Sequence, residues 1–289
     1  MNIFCTGNKE KKHFYQTIDK ISKISEIYEH DLYLDKELSN SSSDIHSISF
    51  EEFIKQDSSN IVISIGGDGS LLNTVRLMGS HQLPLLGIHI GKLGFLNQLH
   101  YNKIEDALDN LFKFQKYTIE EFNLLSAKIC YDDNSKDREL TALNDIVINH
   151  GNLLRLIKFT VDLDREHLNK YSSDGIIFST PLGSTAYSLS CGGPIVSPDI
   201  KGIIVTPISP HSLSARPIVL DEKNKIQVSF DEDYSRINIT ADGQKQIKIN
   251  SKCIIKIKKS NIKAKLIYPE DMESYYFKLR NKLNWFGKY

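Results

Sequence analysis

The sequence predicts two domains of different class: an α/β domain with a Rossmann-like parallel sheet, then an all-β domain, with a C-terminal helix packing back on the rest. Three observations predict it. Up to about residue 120, apolar β-branched runs alternate with helical periodicity. From there to about residue 270, short β-branched segments follow one another with turn signals between them. The closing residues, 271–289, are amphipathic at helical spacing.

Taken in order, residues 2–6 (NIFCT) read as a strand and 9–30 as a helix, because Phe14, Ile18, Ile21 and Ile24 recur every three or four positions. The polar run 39–44 (SNSSSD) is a loop. Ile61-Val62-Ile63-Ser64-Ile65 is nearly continuous and β-branched, as a parallel strand buried on both faces is. A helix over about 70–80, a buried strand over 85–89, a loop over 91–96 and a helix near 103–115 complete the α/β rhythm. Beyond it, LLSAKI, NDIVI, IKFTVDLD, GIIFST, GIIVTPI, KIQVSF, SRINITADG, QIKI, CIIKIKK and AKLIY read as strands, antiparallel by their hairpin-length connections. Residues 180–200 are too rich in Gly, Pro and hydroxyls for a strand and read as a loop leading into a helix. Tyr275, Tyr276, Leu279, Leu283 and Trp285 mark the apolar side of the last helix. The expected boundaries are therefore 1–120, 121–270 and 271–289, with the last segment returning to the N-terminal domain.

Composition narrows the function classes. The 289 residues carry 40% apolar and 25% charged residues, ordinary for a globular protein. Lys+Arg and Asp+Glu are 36 each, so the formal net charge is zero and nothing draws the whole surface to nucleic acid or anionic lipid. Cys5, Cys130, Cys191 and Cys253 are far apart and form no C-x-x-C, which points to free thiols in a reducing cytoplasm rather than a zinc site or a disulfide framework. The first fifteen residues lack an apolar h-region, and no apolar run approaches the roughly 18 residues of a membrane span.

The chemistry concentrates in two segments. In IVISIGGDGSLL, residues 61–72, Gly66, Gly67 and Gly69 let backbone N–H groups approach a ligand, and the helix beyond Ser70 adds its positive end. Asp68 sits among them, and a carboxylate beside phosphate is useful when it holds a metal or takes a proton from an attacking hydroxyl. The pattern suggests phosphoryl transfer; the alternative is a glycine-rich turn with a solvated aspartate. In the second segment, DGIIFSTPLGSTAY at 174–187, Ser179, Thr180, Ser184 and Thr185 could donate to phosphate or ribose oxygens and Tyr187 could cover a base, or these hydroxyls serve as caps and turns.

Together, GGDGS at 66–70, Asn144-Asp145 in ALNDIVI, DGIIFSTPLGSTAYSLSCGGPIVSP at 174–198, PISPHSLSARPIVL at 207–220, ADGQ at 241–244 and FKLRNKLNWFG at 277–287 resemble the bacterial-type NAD kinase family. The resemblance implies transfer of the ATP γ-phosphoryl group to the 2′-hydroxyl of the adenosine ribose of NAD, with a divalent metal ion such as Mg²⁺ as cofactor and a homotetramer as the assembly. It implies that Asp68 is the general base and that Gly66, Gly67, Gly69, Ser70 and Asn73 form the phosphate and ATP loop. It further implies that NAD is met by Asp68, Gly69, Phe95 as an adenine-stacking ring, Asn144, Asp145, Arg155, Asp174, the run Thr185, Ala186, Tyr187, Ser188, Leu189 and Ser190, and Gln244. The metal ligands stay open, with Asp68 as one candidate. Three positions depart from the family pattern: Asp145 stands where most members have Glu, Ser70 replaces the usual Thr, and Ser172 stands where many bacterial members have Arg. A lipid or sugar kinase sharing the GGDG loop, and a non-catalytic dinucleotide sensor, are the alternatives. His211 and the lysine run 256–265 read as structural and as a solvated strand face respectively.

Overall fold

The computed structural model describes residues 1–38, 45–56, 60–91, 94–114, 116–131, 136–151, 156–164, 166–234, 236–250, 252–270 and 273–285. The chain divides into two compact units, one made of Met1–Glu121 with Ala264–Tyr289 and the other of Phe122–Lys263.

The first unit runs β1 (Asn2–Gly7), α1 (Phe14–Ile27), β2 (Asp31–Asp35), β3 (His46–Ile48), α2 (Phe50–Phe53), β4 (Asn60–Gly66), α3 (Asp68–Met78), β5 (Pro84–His89), β6 (Leu99–His100) and α4 (Ile104–Phe112). The strand β7 (Tyr117–Tyr131) passes from the first unit into the second at Phe122, and the second continues with β8 (Arg138–Ala142), β9 (Asp145–His150), β10 (Ile157–Leu163), β11 (Glu166–Ser173), β12 (Gly175–Ser179), α5 (Tyr187–Ser190), β13 (Gly202–Ile208), β14 (Ile218–Asp221), β15 (Ile226–Phe230), β16 (Ile237–Ala241) and β17 (Lys245–Ile249). Then β18 (Cys253–Pro269) and α6 (Tyr275–Leu283) end the chain.

In the first unit β5, β4, β1, β2 and β3 lie side by side, all parallel. In the central strands β1, β4 and β5 the side chains are buried on both faces, which is why those runs are nearly continuously apolar, whereas β2 and β3 toward the edge are partly exposed and more polar. Ile3, Cys5, Ile63, Ile65 and Ile88 join Ile18 and Ile21 of α1 and Leu108 of α4 in one core. On the opposite face Phe4 packs on Phe50 and Phe53, with ring centroids 5.6 and 5.1 Å away. Lys265 and Leu266, late in β18, add a parallel pairing to Pro84 and Leu85.

The second unit holds a six-stranded antiparallel sheet in the order β14, β13, β12, β9, β16, β17. A second antiparallel run, β11, β10, β15 and the first half of β18, shares its core. Ile146, Ile148, Ile176, Phe178, Ile237 and Ile239 from the first set meet Phe159, Val161, Val228, Ile255 and Ile257 from the second. Each such side chain contributes about 1.5–3 kcal/mol by leaving water.

The α/β and all-β classes and the C-terminal helix are as the sequence predicts. Four local readings change. The first helix starts at Phe14 and ends at Ile27 instead of spanning 9–30, because His13 takes a left-handed conformation with φ 81° and the apolar period begins only at Phe14. CIIKIKK and AKLIY are one long strand, β18. The segment after β12 makes a 3₁₀ turn at Leu182–Thr185 and then only one helical turn, α5. In α6 the buried residues are Lys278 and Leu279; of the expected apolar side Tyr275 and Leu283 are half-buried, whereas Tyr276 and Trp285 are 57% and 55% exposed, so the packed face is narrower than expected and includes a lysine. The loop read at 39–44 lies outside the described residues. All four cysteines are free thiols. Among the described residues no helix is long and apolar enough to cross a membrane.

Candidate active site

In the first unit β1, β4 and β5 end together, Gly7 against Ile65 and Gly66 against His89. This is the edge of a parallel sheet at which ligands bind. The chain turns there sharply enough that a Cβ on Gly66 would stand 2.1 Å from Ser70 Oγ, and Gly67 then caps α3. Thr74 Oγ1 donates to Ser64 Oγ at 2.9 Å, tying the helix to its strand. Asp68, the first residue of α3, lies at the positive end of the helix dipole.

Asp68 is no solvated turn residue. Its Oδ2 accepts the Phe95 N–H at 2.7 Å, and its Oδ1 accepts the Leu96 and Asn97 N–H groups at 3.1 and 3.3 Å and Asn97 Nδ2 at 2.9 Å. Gly94 is required by this clamp, since a Cβ there would sit 1.9 Å from Asp68 Oδ1. The carboxylate is thus aimed by a row of donors, and Oδ2, with one bond accepted from that row, keeps room for a substrate hydroxyl or a metal. Phe95 serves Asp68 through its backbone, while its half-buried ring is the group the resemblance assigns to adenine. Asn73 is exposed and accepts from the Arg76 guanidinium.

The second unit brings four of the other predicted residues, Asn144, Asp145, Ala186 and Tyr187, to one cavity beside its six-stranded sheet. Asn144, Asp145, Val147, Asn149, Ala186, Tyr187, Thr240, Asp242 and Gly243 line a cavity of ≈ 310 Å³. The alternation of β9 explains its wall: Asp145, Val147 and Asn149 face the cavity while Ile146 and Ile148 enter the core.

The loop before β9 is held from two sides. Asp242, at φ 51°, accepts the N–H groups of Leu143, Asn144 and Asp145 at 3.0, 2.7 and 3.2 Å. From the other side Ser179 Oγ donates to the Asn144 carbonyl at 3.1 Å and Thr180 Oγ1 to the Leu143 carbonyl at 2.7 Å. Gly183 passes so close that a Cβ would meet Asn144 O at 2.2 Å. The hydroxyls of the STPLGSTAY segment therefore build the loop before they could touch a ligand. Ser184 Oγ likewise bridges to Val196, and Ser188, buried, shares a 2.8 Å bond with Thr206 Oγ1, so Ser188 is a packing residue where the resemblance assigns a substrate contact.

What remains open faces the cavity. Among the described residues Asn144 Oδ1 and Asn149 Oδ1 are buried acceptors with no hydrogen-bond partner. Burial, and then the neighbouring Asp242 charge, push the Asp145 carboxyl up to about 7, partly offset by the Tyr187 backbone N–H. A cavity with two unpartnered acceptors and a carboxyl kept from solvation calls for a ligand rich in N–H and O–H donors.

Of the predicted residues, Asn144, Asp145, Ala186 and Tyr187 come together around this cavity, and Asp68 and Phe95 around the clamp of the first unit. Thr185 and Leu189 are half-buried, and Asp174, Ser190 and Gln244 are exposed; none of the five is part of the cavity lining. Arg155 lies outside the described residues. His211 is exposed, and its N–H donates to the Ser172 carbonyl. Sequence reasoning missed Asn149 and Thr240, whose alternation on β9 and β16 was the available signal, and Asp242, which entered only as part of ADGQ. Among the described residues no cluster of three or more His, Cys, Asp or Glu could hold a metal ion.

Comparison with known proteins converges on one family. The family described as ATP-NAD kinase N-terminal domain matches residues 8–117, and the ATP-NAD kinase C-terminal domain matches residues 143–268. An NAD kinase of Clostridium beijerinckii is 42% identical over 225 residues, covering 77% of this chain and 78% of that protein. One of Clostridium botulinum (strain Kyoto / Type A2) is 40% identical over 227 residues, covering 78% of each. Among solved structures, yeast NADH kinase complexed with NADH superposes with a TM-score of 0.87 at 23% identity, covering 100% of this chain and 88% of that one. An NAD kinase from Archaeoglobus fulgidus in complex with ATP gives 0.76 at 25% identity, covering 99% and 100%.

Proposed function

The chain belongs to the ATP-NAD kinase family, an ATP-dependent phosphotransferase class, and from that premise we propose how its own residues divide the reaction. The adenosine part of NAD occupies the cavity of the second unit, where Asn144 Oδ1 and the Asp145 carboxylate accept its amino and ribose hydroxyl hydrogens and Tyr187 covers a ring face. One observation carries this reading: a buried, unpartnered Asn144 acceptor on the wall of a cavity whose rim is fixed by backbone hydrogen bonds.

Asp68 is the base. It aligns the ribose 2′-hydroxyl and takes its proton at Oδ2 as the ribose oxygen bonds to the γ-phosphorus and the bond from that phosphorus to the β-phosphate bridging oxygen breaks, releasing ADP. Because such transition states are loose, aim matters as much as basicity, and the four-donor clamp on Asp68 supplies aim. A divalent ion would be held mainly by the substrate phosphates and water, leaving Asp68 Oδ2 for the hydroxyl proton, and would neutralise charge on the phosphates. Gly66, Gly67, Gly69 and Ser70 form the ATP phosphate loop. The same reading includes a cytoplasmic enzyme, consistent with four free thiols, and a homo-oligomer, consistent with the edge strand β14 and its partly exposed Ile218 and Val219.

The test is to incubate the purified protein with NAD and Mg-ATP and follow NADP⁺ with an NADP-specific dehydrogenase. Folded protein that yields no NADP⁺ overturns the reading.

A pH dependence follows for NAD binding. Asp145 has its folded value raised to about 7, so the carboxylate that accepts ribose hydroxyls forms as the pH rises through 7. NAD affinity measured by calorimetry should therefore improve about tenfold from pH 6 to 8. Affinity independent of pH over that interval would place Asp145 away from the ligand. For folding the sign is opposite: the stability owed to the protonated carboxyl is full below the ordinary value of 3.8 and is lost as the pH climbs through about 7.

A further inference from the structure

Helix α6 brings into the first unit a charge that its packing does not need. Lys278 is 3% exposed, one of only two residues that α6 buries. Its Nζ donates to the Asn97 carbonyl at 2.6 Å. Asn97 is itself 0% exposed, and it is the residue whose N–H and Nδ2 both hold Asp68 Oδ1. One buried asparagine thus links a cation on the last helix to the carboxylate at the phosphate loop. An ammonium with three donors and a single hydrogen-bond acceptor here is an expensive way to fill space, and a methionine would fill it without the desolvation cost. A cost kept at this spot points to the reaction.

We propose that Lys278 is a positioning residue for phosphoryl transfer: it pins the Asn97 carbonyl, so that the N–H row aiming Asp68 stays in place, and its positive charge balances the carboxylate beside it. The inference rests on Asp68 being the base. Lys278 touches no reacting atom in this role and acts through Asn97.

The same burial makes the device sensitive to pH. Desolvation pulls Lys278 down to about 8, opposed by Asp68 of α3 and by Glu273 just before α6. The other groups facing it are His89, at the end of β5, and behind that His100, whose ring lies 4.6 Å from that of His89, with Lys103 beyond. Both histidines are displaced toward acid, chiefly by burial, so Lys278 is the group brought into the interval above neutrality. Its folded value lies below the ordinary 10.5, so the charge is lost as the pH rises through about 8. The cost of burying it, full below pH 8, is relieved between 8 and 10.5.

The experiment compares wild type with K278M and K278R for kcat, KM for NAD and for ATP from pH 6.5 to 9.5, and for thermal midpoint. Wild-type kcat is expected to fall on an alkaline limb centred near pH 8. K278M is expected to lose about tenfold or more in kcat at pH 7 with KM for NAD within about twofold, to show no alkaline limb, and to melt no lower than wild type. K278R, with a charge that persists, should retain activity at pH 9 that wild type loses. Wild-type activity without an alkaline limb, or K278M matching wild type in kcat at pH 7, overturns the inference even if one variant fails to fold. Loss of NADP⁺ formation by wild type itself would instead overturn the parent reading.

Discussion

Asp68→Asn is expected to lower kcat by about 10²–10⁴-fold, the range that a positioned general base contributes, while NAD binding stays within about threefold. The substitution keeps shape and removes both charge and basicity. An amide oxygen at the Oδ1 position can still accept from Leu96 and Asn97, whose donors lie at 2.9 to 3.3 Å. At the other position an NH₂ group would face the Phe95 N–H, now 2.7 Å from Oδ2, and two donors would oppose each other. NAD affinity by calorimetry and the thermal midpoint therefore belong beside the rate measurement. A parallel loss of kcat and NAD affinity would mean that Asp68 organises its loop and does not take the proton.

The second large effect is expected from Asp242→Ala. It strips the acceptor from three N–H groups at once, those of Leu143, Asn144 and Asp145. Leaving a buried donor unsatisfied costs about 1–3 kcal/mol, and the three share one loop, so a total of about 3–5 kcal/mol is expected in a denaturant titration. NAD affinity should fall at least about 100-fold, because the Asn144-Asp145 rim loses the constraint that prepares it for ligand. Asp242→Asn is the informative companion. It keeps one oxygen for the loop and removes the neighbouring charge that helps raise Asp145, so the midpoint of the pH dependence of NAD binding should move below 7. Unchanged stability in the alanine variant would mean that water replaces the carboxylate without loss.

How far the sequence reaches is clearest from elements that it did and did not disclose. Strands such as β4 and β9 were legible because both faces, or alternate faces, are apolar, and periodicity reports burial directly. The strand β11, EHLNKYSS, was not, because it pairs with β10 along one side only and six of its eight side chains are not buried enough to need apolar character. Its backbone ladder holds it, and a ladder leaves no mark on side-chain pattern. The strands β8 and β14, five and four residues long, were missed for the same reason. The site divides likewise. Asp68 and Asn144-Asp145 could be found from motifs, but the partner that holds Asn144 stands 98 positions away, and the cation behind Asn97 stands 181 positions away. Asp242-Gly243 is a turn signal between β16 and β17, and a turn signal says nothing of what its carboxylate reaches. Lys278 was hidden because a lysine on an amphipathic helix reads as solvated, whereas here it is 3% exposed.

The two halves of β18 pair in different units, Ile255–Ile257 with β15 and Lys265–Leu266 with β5. Synthesis runs from the N-terminus, so this strand also sets an order of maturation. All of Phe122–Lys263 can leave the ribosome and close its β core while the α/β unit, though begun first, still lacks Ala264–Tyr289. A nascent chain paused before Ala264 has the GGDG turn but neither the strand that flanks Pro84–Leu85 nor the lysine behind Asn97. The donor row on Asp68 is then backed by Lys278 only once the last helix has been made.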